Sequence, residues 1–337
     1  MTPKELTEIL LSSIEEELQQ AVSLARYNGT DPLHHMLSYH MGWTGEEAGA
    51  EARGKRLRPL LLLLTCSAAG GDWKKALPAS AAVELVHNFS LIHDDIQDNS
   101  PLRRGRTTLW QEWGIAQALN AGDAMFTLAH LALLRLDEQS SPGVVIKAAR
   151  ILQNACLQLT QGQYLDLDYE TRKDLSLDDY WPMVKAKTAA LLAACTELGA
   201  LVACSSELCQ KLYRQFGLSL GLAFQVQDDL LGIWGDGMVT GKSAESDLVS
   251  GKKSLPVLYG INQRGKFYKR WAQGSFKPEE VSDLAALLET EGARRYTEEK
   301  ANHLTTEALL TLDQAKPMGL AGETLKSLAV KLLKRKS

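Results

Sequence analysis

The chain has 337 residues, 45% hydrophobic and 23% charged, with 26 Gly, 10 Pro and 5 Cys. That composition excludes a disordered chain, a collagen-like repeat and a disulfide scaffold. Lys and Arg number 37 against 41 Asp and Glu, for a formal charge of −4; bulk charge therefore gives no basis for binding nucleic acid, and an anionic ligand would need a local basic cluster.

Leu6, Ile9, Leu10, Ile14 and Leu18 recur at helical spacing with acids between them, which predicts an amphipathic helix. Residues 1–17 hold no unbroken apolar core and do not read as a signal peptide. Helical patterns follow over 59–69, 80–98, 115–136, 143–168, 177–204, 207–232 and 281–312, and alternating runs of strand type are absent. The longest apolar stretch, 189–204, is broken by Thr196 and Glu197 and is shorter than the ~20 residues of a membrane span. Loops are short except for a polar connection over 236–253. One all-α domain over 1–337 is expected. The cysteines, Cys66, Cys156, Cys195, Cys204 and Cys209, are odd in number and lack CxxC spacing, which suggests buried thiols in a reducing cytoplasm. His34, His35 and His40 are spaced poorly for a metal site on one helix and read as surface or loop residues.

Asp94, Asp95 and Asp98 form a DDxxD pattern at the end of an apolar helix. Asp94 and Asp98 share a face, where like charges are unfavourable unless a cation intervenes. Oxygen donors without His or Cys suit Mg²⁺, which bridges to substrate phosphates. Asp228-Asp229 ends a second such helix, and Gln163, Asp166 and Asp168 make a looser third cluster. Two acidic helices facing each other could clamp Mg²⁺ ions around a diphosphate. The basic run Gly54-Lys55-Arg56-Leu57-Arg58-Pro59 places cations before a helix that Pro59 would begin, a favourable anion site. Arg103-Arg104-Gly105-Arg106 follows the first acidic cluster, and arginine forks match phosphate oxygens. Lys187-Thr188 lies in the long apolar run, and Lys242 and Lys252 flank Asp247. Gly241-Lys242-Ser243 is not a P-loop, because Asp236 stands where that motif needs Gly. No Ser-His-Asp or Cys-His arrangement is found.

In their order, GKRLRP (54–59), HNFSLIHDDIQDNSPLRRGR (87–106), GQYLDLD (162–168), Lys187-Thr188, FQVQDDLLGIWGD (224–236) and GK…D…GKKSLP (241–256) resemble the trans-prenyltransferase, or isoprenyl diphosphate synthase, family. The resemblance implies an all-α helical bundle around a central cavity, usually a homodimer, that condenses isopentenyl diphosphate with an allylic diphosphate using Mg²⁺, three ions with substrate bound. It implies Asp94, Asp98 and Asp228 as metal ligands. It implies Arg103, Lys187, Lys242 and Lys252 as contacts to the allylic diphosphate, and Lys55, Arg58, His87 and Arg104 as the isopentenyl diphosphate site. Thr188 and Gln225 would lie near the reacting carbons, where their dipoles could stabilise an allylic cation. Such chemistry needs the leaving group's charge neutralised and water excluded, but no side-chain nucleophile. No nucleic-acid partner and no integral membrane segment are expected.

Two positions depart from the family pattern. Gly232 stands where the second motif usually ends in Asp, and the next acid is Asp236. That stretch also fits a relaxed metal motif of class I terpene cyclases, so a cyclase is the alternative reading and a non-catalytic subunit the third. Thr107 replaces a frequent Pro. Phe89 and Ser90, five and four residues before Asp94, lie ~7.5 and ~6 Å below it on a helix. A large ring beside a small residue resembles geranylgeranyl (C20) diphosphate synthases, with farnesyl (C15) next. Met125 and Phe126 are further candidates for the cavity wall.

Overall fold

The computed structural model describes residues 1–26, 31–235, 246–274 and 276–333. The α-helices are α1 (Pro3–Ser23), α2 (Asp31–His40), α3 (Ala50–Arg53), α4 (Leu57–Ala68), α5 (Leu77–Gln97), α6 (Leu109–Trp113), α7 (Ile115–Leu134), α8 (Pro142–Thr171), α9 (Leu177–Val184), α10 (Ala190–Val202) and α11 (Glu207–Trp234). They continue with α12 (Ser246–Val249), α13 (Leu255–Gln263), α14 (Lys266–Trp271), α15 (Val281–Thr290), α16 (Ala293–Gln314) and α17 (Gly319–Leu333). Among the described residues the only strands are β1 (Leu102–Arg103) and β2 (Arg106–Thr107). The all-α expectation therefore holds, with one small hairpin that no alternating run announced. No helix among the described residues is long and apolar enough to cross a membrane.

Packing divides the chain into two compact units. One is Met1–Gln153 with Cys195–Lys211 and Lys316–Leu325; the other is Asn154–Ala194 with Leu212–Ala315 and Lys326–Ser337.

In the first unit α1 opens on a capping box between Thr2 and Glu5, which satisfies two orphan donors reciprocally. It buries Leu6, Leu10, Ile14 and Leu18, while Ile9 stays exposed. α4 begins at Leu57, so Arg58 and Pro59 lie inside its first turn rather than at its start. α5 and α7 run antiparallel, since Phe89 packs on Phe126 and His93 lies over Gly122, where a Cβ would overlap its Nε2.

In the second unit the helix expected over 177–204 is interrupted. α9 passes into a π-helical turn, Lys185–Ala189, and only then into α10. Pro182 removes one helical donor just before the turn. The turn is hemmed in by glycines: a side chain on Gly162 of α8 would overlap the Lys187 backbone nitrogen, and one on Gly221 of α11 would stand 2.6 Å from Ala189 Cα. Wide turns of this kind are frequent at functional sites. The run 281–312 is likewise two helices, parted at Glu291-Gly292. Cys66, Cys156 and Cys195 are buried free thiols as expected, whereas Cys204 is exposed and Cys209 half-buried.

Candidate active site

The first acidic motif closes α5. Asp94 is half-buried, Asp98 is exposed, and the Asp98 N–H donates to the Asp94 carbonyl at 2.8 Å. The carbonyl end of a helix and these carboxylates together favour a cation. Asp95 is different, being 2% exposed. Arg103 Nε donates to both of its oxygens at 2.8 and 2.9 Å, and Arg103 Nη2 lies 2.7 Å from Oδ1. Burial holds the Asp95 carboxyl above its ordinary range, against the pull of Arg103.

The hairpin after it shapes the basic cluster. Arg103 pairs with Arg106 across the strands, and Arg104 and Gly105 take φ of 52° and 78° at the turn, as a two-residue hairpin of matching twist requires. The Arg104 guanidinium then lies over Gly54, with Nη1 donating to the Ala52 carbonyl at 2.9 Å. A Cβ on Gly54 would meet Arg104 Cζ at 2.6 Å, and its φ of +73° independently favours glycine.

Within Lys55-Arg56-Leu57-Arg58 the cations part ways. Arg56 is 3% exposed. Its Nε donates to Glu15 at 2.6 Å, Nη1 to Glu84 at 3.1 Å and Nη2 to the Met41 carbonyl at 3.0 Å. Glu15 also accepts from Trp43 Nε1, and Glu84 from Asn88. Breaking so buried a pair typically costs ~3–5 kcal/mol, which ties Arg56 to the fold. Lys55 is exposed, and Arg58 is half-buried with its Nε buried and lacking a hydrogen-bond partner. Burial works against the Arg58 charge, with Glu84 offsetting it. Arg104 is likewise disfavoured by burial, Glu84 offsetting, and by Arg56, Arg103 and Arg58 around it. Burial first and these guanidinium groups second hold His87 well below its ordinary pKa and push His40 down to about 3. A cluster of mutually repelling cations with an unanswered buried donor suits an anion.

Below Asp94, Phe89 and Phe126 stand 4.8 Å apart, Phe89 lies 5.1 Å from His93 and Phe126 lies 4.4 Å from His130. The four rings form a row between α5 and α7. Ser90 donates to the His87 carbonyl at 2.8 Å. Met125 is fully buried, a core residue, so of the two α7 candidates it is Phe126 that joins Phe89.

The second unit is organised around Asp229, which is 1% exposed. It accepts from Tyr180 Oη at 2.7 Å, from the Leu255 N–H at 3.0 Å and from Gln225 Nε2 at 2.9 Å, and Lys252 Nζ lies 3.8 Å away. Thr188 Oγ1 in turn donates to Gln225 Oε1 at 2.9 Å. Donation thus runs from Thr188 through Gln225 to Asp229, leaving the Thr188 oxygen its lone pairs. Lys187 pairs with Asp166 of α8. Asp228, beside Asp229, is half-buried.

Lys55, Arg58, His87, Asp94, Asp98, Arg103, Arg104, Phe89 and Ser90 lie in one unit, and Lys187, Thr188, Gln225, Asp228 and Lys252 in the other. Lys242, with Asp236, lies outside the described residues. Among the described residues no three His, Cys, Asp or Glu converge closely enough to hold a metal by themselves. Carboxylates in ones and twos do fit Mg²⁺, which completes its shell with phosphate oxygens and water. Sequence reasoning missed Arg56, Tyr180 and Asp229 as fixed points; the Asp doublets carried the only signal, in that two adjacent acids cannot share one helix face.

Residues 47–289 match the polyprenyl synthetase family model. A (2E,6E)-farnesyl diphosphate synthase of Mycobacterium tuberculosis is 41% identical over 290 residues, 83% of this chain and 80% of that protein. A geranylgeranyl diphosphate synthase of the same organism is 37% identical over 320 residues, 93% of this chain and 91% of the relative. The crystal structure of a polyprenyl synthetase from Streptomyces coelicolor superposes with a TM-score of 0.87 at 36% identity, covering 96% of this chain and 98% of that one.

Proposed function

The chain belongs to the polyprenyl synthetase family, and from that premise we propose that this trans-prenyltransferase elongates an allylic diphosphate with isopentenyl diphosphate to geranylgeranyl diphosphate. Short-chain elongation is the activity named for its relatives, which are farnesyl, geranylgeranyl and geranylfarnesyl diphosphate synthases. The observation that carries the C20 reading is the Phe89–Phe126 contact beneath Asp94, in a row of rings bounded by His93 and His130.

The residues take these roles. Asp94 and Asp98, and also Asp228, would hold Mg²⁺, three ions with substrate bound, which would supply charge neutralisation to the diphosphate leaving group. Arg103, Lys187, Lys252 and Lys242 add cationic contacts to the allylic diphosphate. Asp95 and Asp166 keep two of those cations in place. Lys55, Arg58, His87 and Arg104 take isopentenyl diphosphate, supported by the buried Arg58 Nε and the repulsion among the guanidinium groups. When the allylic C–O bond breaks, the Thr188 oxygen and the Gln225 amide face the positive charge with fixed dipoles. The double bond of isopentenyl diphosphate attacks that carbon, and a proton leaves to the departed diphosphate.

The enzyme is read as a cytoplasmic homodimer of one-domain chains. The division between packing units falls inside α8, α10 and α11. Ile115, Leu119, Leu131 and Leu134 of α7 are exposed apolar side chains for a second copy to cover. The test is to incubate the protein and Mg²⁺ with dimethylallyl, geranyl or farnesyl diphosphate, with and without isopentenyl diphosphate, and weigh the products. C20 product formed only with isopentenyl diphosphate is expected; an end product of C15, or a hydrocarbon from one diphosphate alone, would contradict the reading.

A further inference from the structure

Lys252 and Lys253 are neighbours after Gly251, and the structure sends them to different partners. Lys252 is exposed, with Nζ 3.8 Å from Asp229 Oδ1. Lys253 is half-buried, and its Nζ donates to three backbone carbonyls, those of Tyr169, Glu170 (2.9 Å) and Arg172 (2.7 Å). These lie at and just beyond the end of α8, where helix carbonyls lack intrahelical partners and the dipole is negative. An ammonium group has three donors and here meets three acceptors. Burial pulls the Lys253 pKa down, and Glu170 and Asp174 oppose that.

Two residues on, the Leu255 N–H donates to Asp229 Oδ2 at 3.0 Å and α13 begins. The short irregular stretch 252–254 is thus pinned at both ends, to Asp229 of α11 and, through Lys253, to the end of α8. The bond from the Leu255 N–H to Asp229 does not involve the Lys253 side chain. What Lys253 adds is the tie between residues 252–254 and the end of α8, and the neighbouring side chain with a proposed task is Lys252.

We propose that Lys253 is a positioning residue: by capping the end of α8 it holds Lys252 where it meets the allylic diphosphate. This rests on the reading of Lys252 as a diphosphate contact. The test compares full-length K253M, K253R, K252A and the double variant K252A/K253M, measuring KM for farnesyl diphosphate and for isopentenyl diphosphate separately, kcat, and thermal unfolding. Losing a charge-assisted contact predicts a KM for farnesyl diphosphate raised about tenfold in K253M, with the KM for isopentenyl diphosphate within about twofold of wild type. K253R recovers most of the loss, and the double variant is no worse than K252A. A wild-type KM for farnesyl diphosphate in K253M, while K252A raises it, overturns the positioning role alone. Equal rises in both KM values, or a lowered melting temperature with unchanged KM, also overturn it. An unchanged KM in K252A removes the Lys252 reading, and the proposal falls with it.

Discussion

Arg56 and Arg58 stand two residues apart in one motif and meet opposite surroundings. The first is enclosed by Glu15, Glu84 and the Met41 carbonyl; the second keeps a buried Nε without a partner. The motif is legible in the sequence as a cationic cluster. Which cation belongs to the fold is not, because its partners come from distant positions, and Glu15 sits in an acid run that reads as a solvated face. His40 is a similar case. Its spacing reads as a surface or loop histidine, yet its Nε2 is buried without a partner, and burial with Arg103, Arg104, Arg56 and Arg106 holds it to about pH 3. Its ordinary value is 6.5, so below that pH the unfolded chain takes up a proton that the native one refuses. The His40 contribution to stability is therefore undiminished above pH 6.5 and is lost as pH falls towards about 3, with His87 acting in the same direction. Urea unfolding between pH 7 and 4.5 is expected to show that decline, with a shallower slope in H40Q; parallel slopes in the two proteins would contradict it.

At the scale of elements, the pairing of α5 and α7 decides what lies beneath Asp94. The offset of Phe89 from Asp94 is legible in the sequence, since a helix converts residue spacing into distance. The partner ring is only half legible: Met125 and Phe126 are adjacent, and the antiparallel register set by His93 over Gly122 selects Phe126. F89A is expected to lengthen the product by at least one C5 unit, read by mass of the extracted prenyl chains; an unchanged product would remove this ring as the floor. The π turn at Lys185–Ala189 was not legible. The local run favours continuous helix, and the turn is bound up with the close approach of α8 and α11 at Gly162 and Gly221. The hairpin at Arg104-Gly105 escaped for the opposite reason, its strands being too short to carry a period of two.

Over the whole molecule, helical periodicity made the fold class readable, and the order of the motifs made the family readable. What periodicity does not report is a division repeated in both packing units. In each Asp doublet the second acid is buried and answered, Asp95 by Arg103 and Asp229 by Tyr180, Gln225 and the Leu255 N–H, while the first keeps a half-buried place. We assign the second acids to the fold and the first to Mg²⁺. Replacing Asp by Asn tests this in one set of four variants, by thermal unfolding alongside the Mg²⁺ concentration for half-maximal activity. D94N and D228N are expected to lose less stability than the variants at their neighbours and to need more Mg²⁺. D95N and D229N are expected to lose about 1–3 kcal/mol of stability, the scale of an unsatisfied buried hydrogen-bonding group, and to melt several degrees lower. D229N melting like wild type, or D228N with an unaltered Mg²⁺ requirement, would contradict the account.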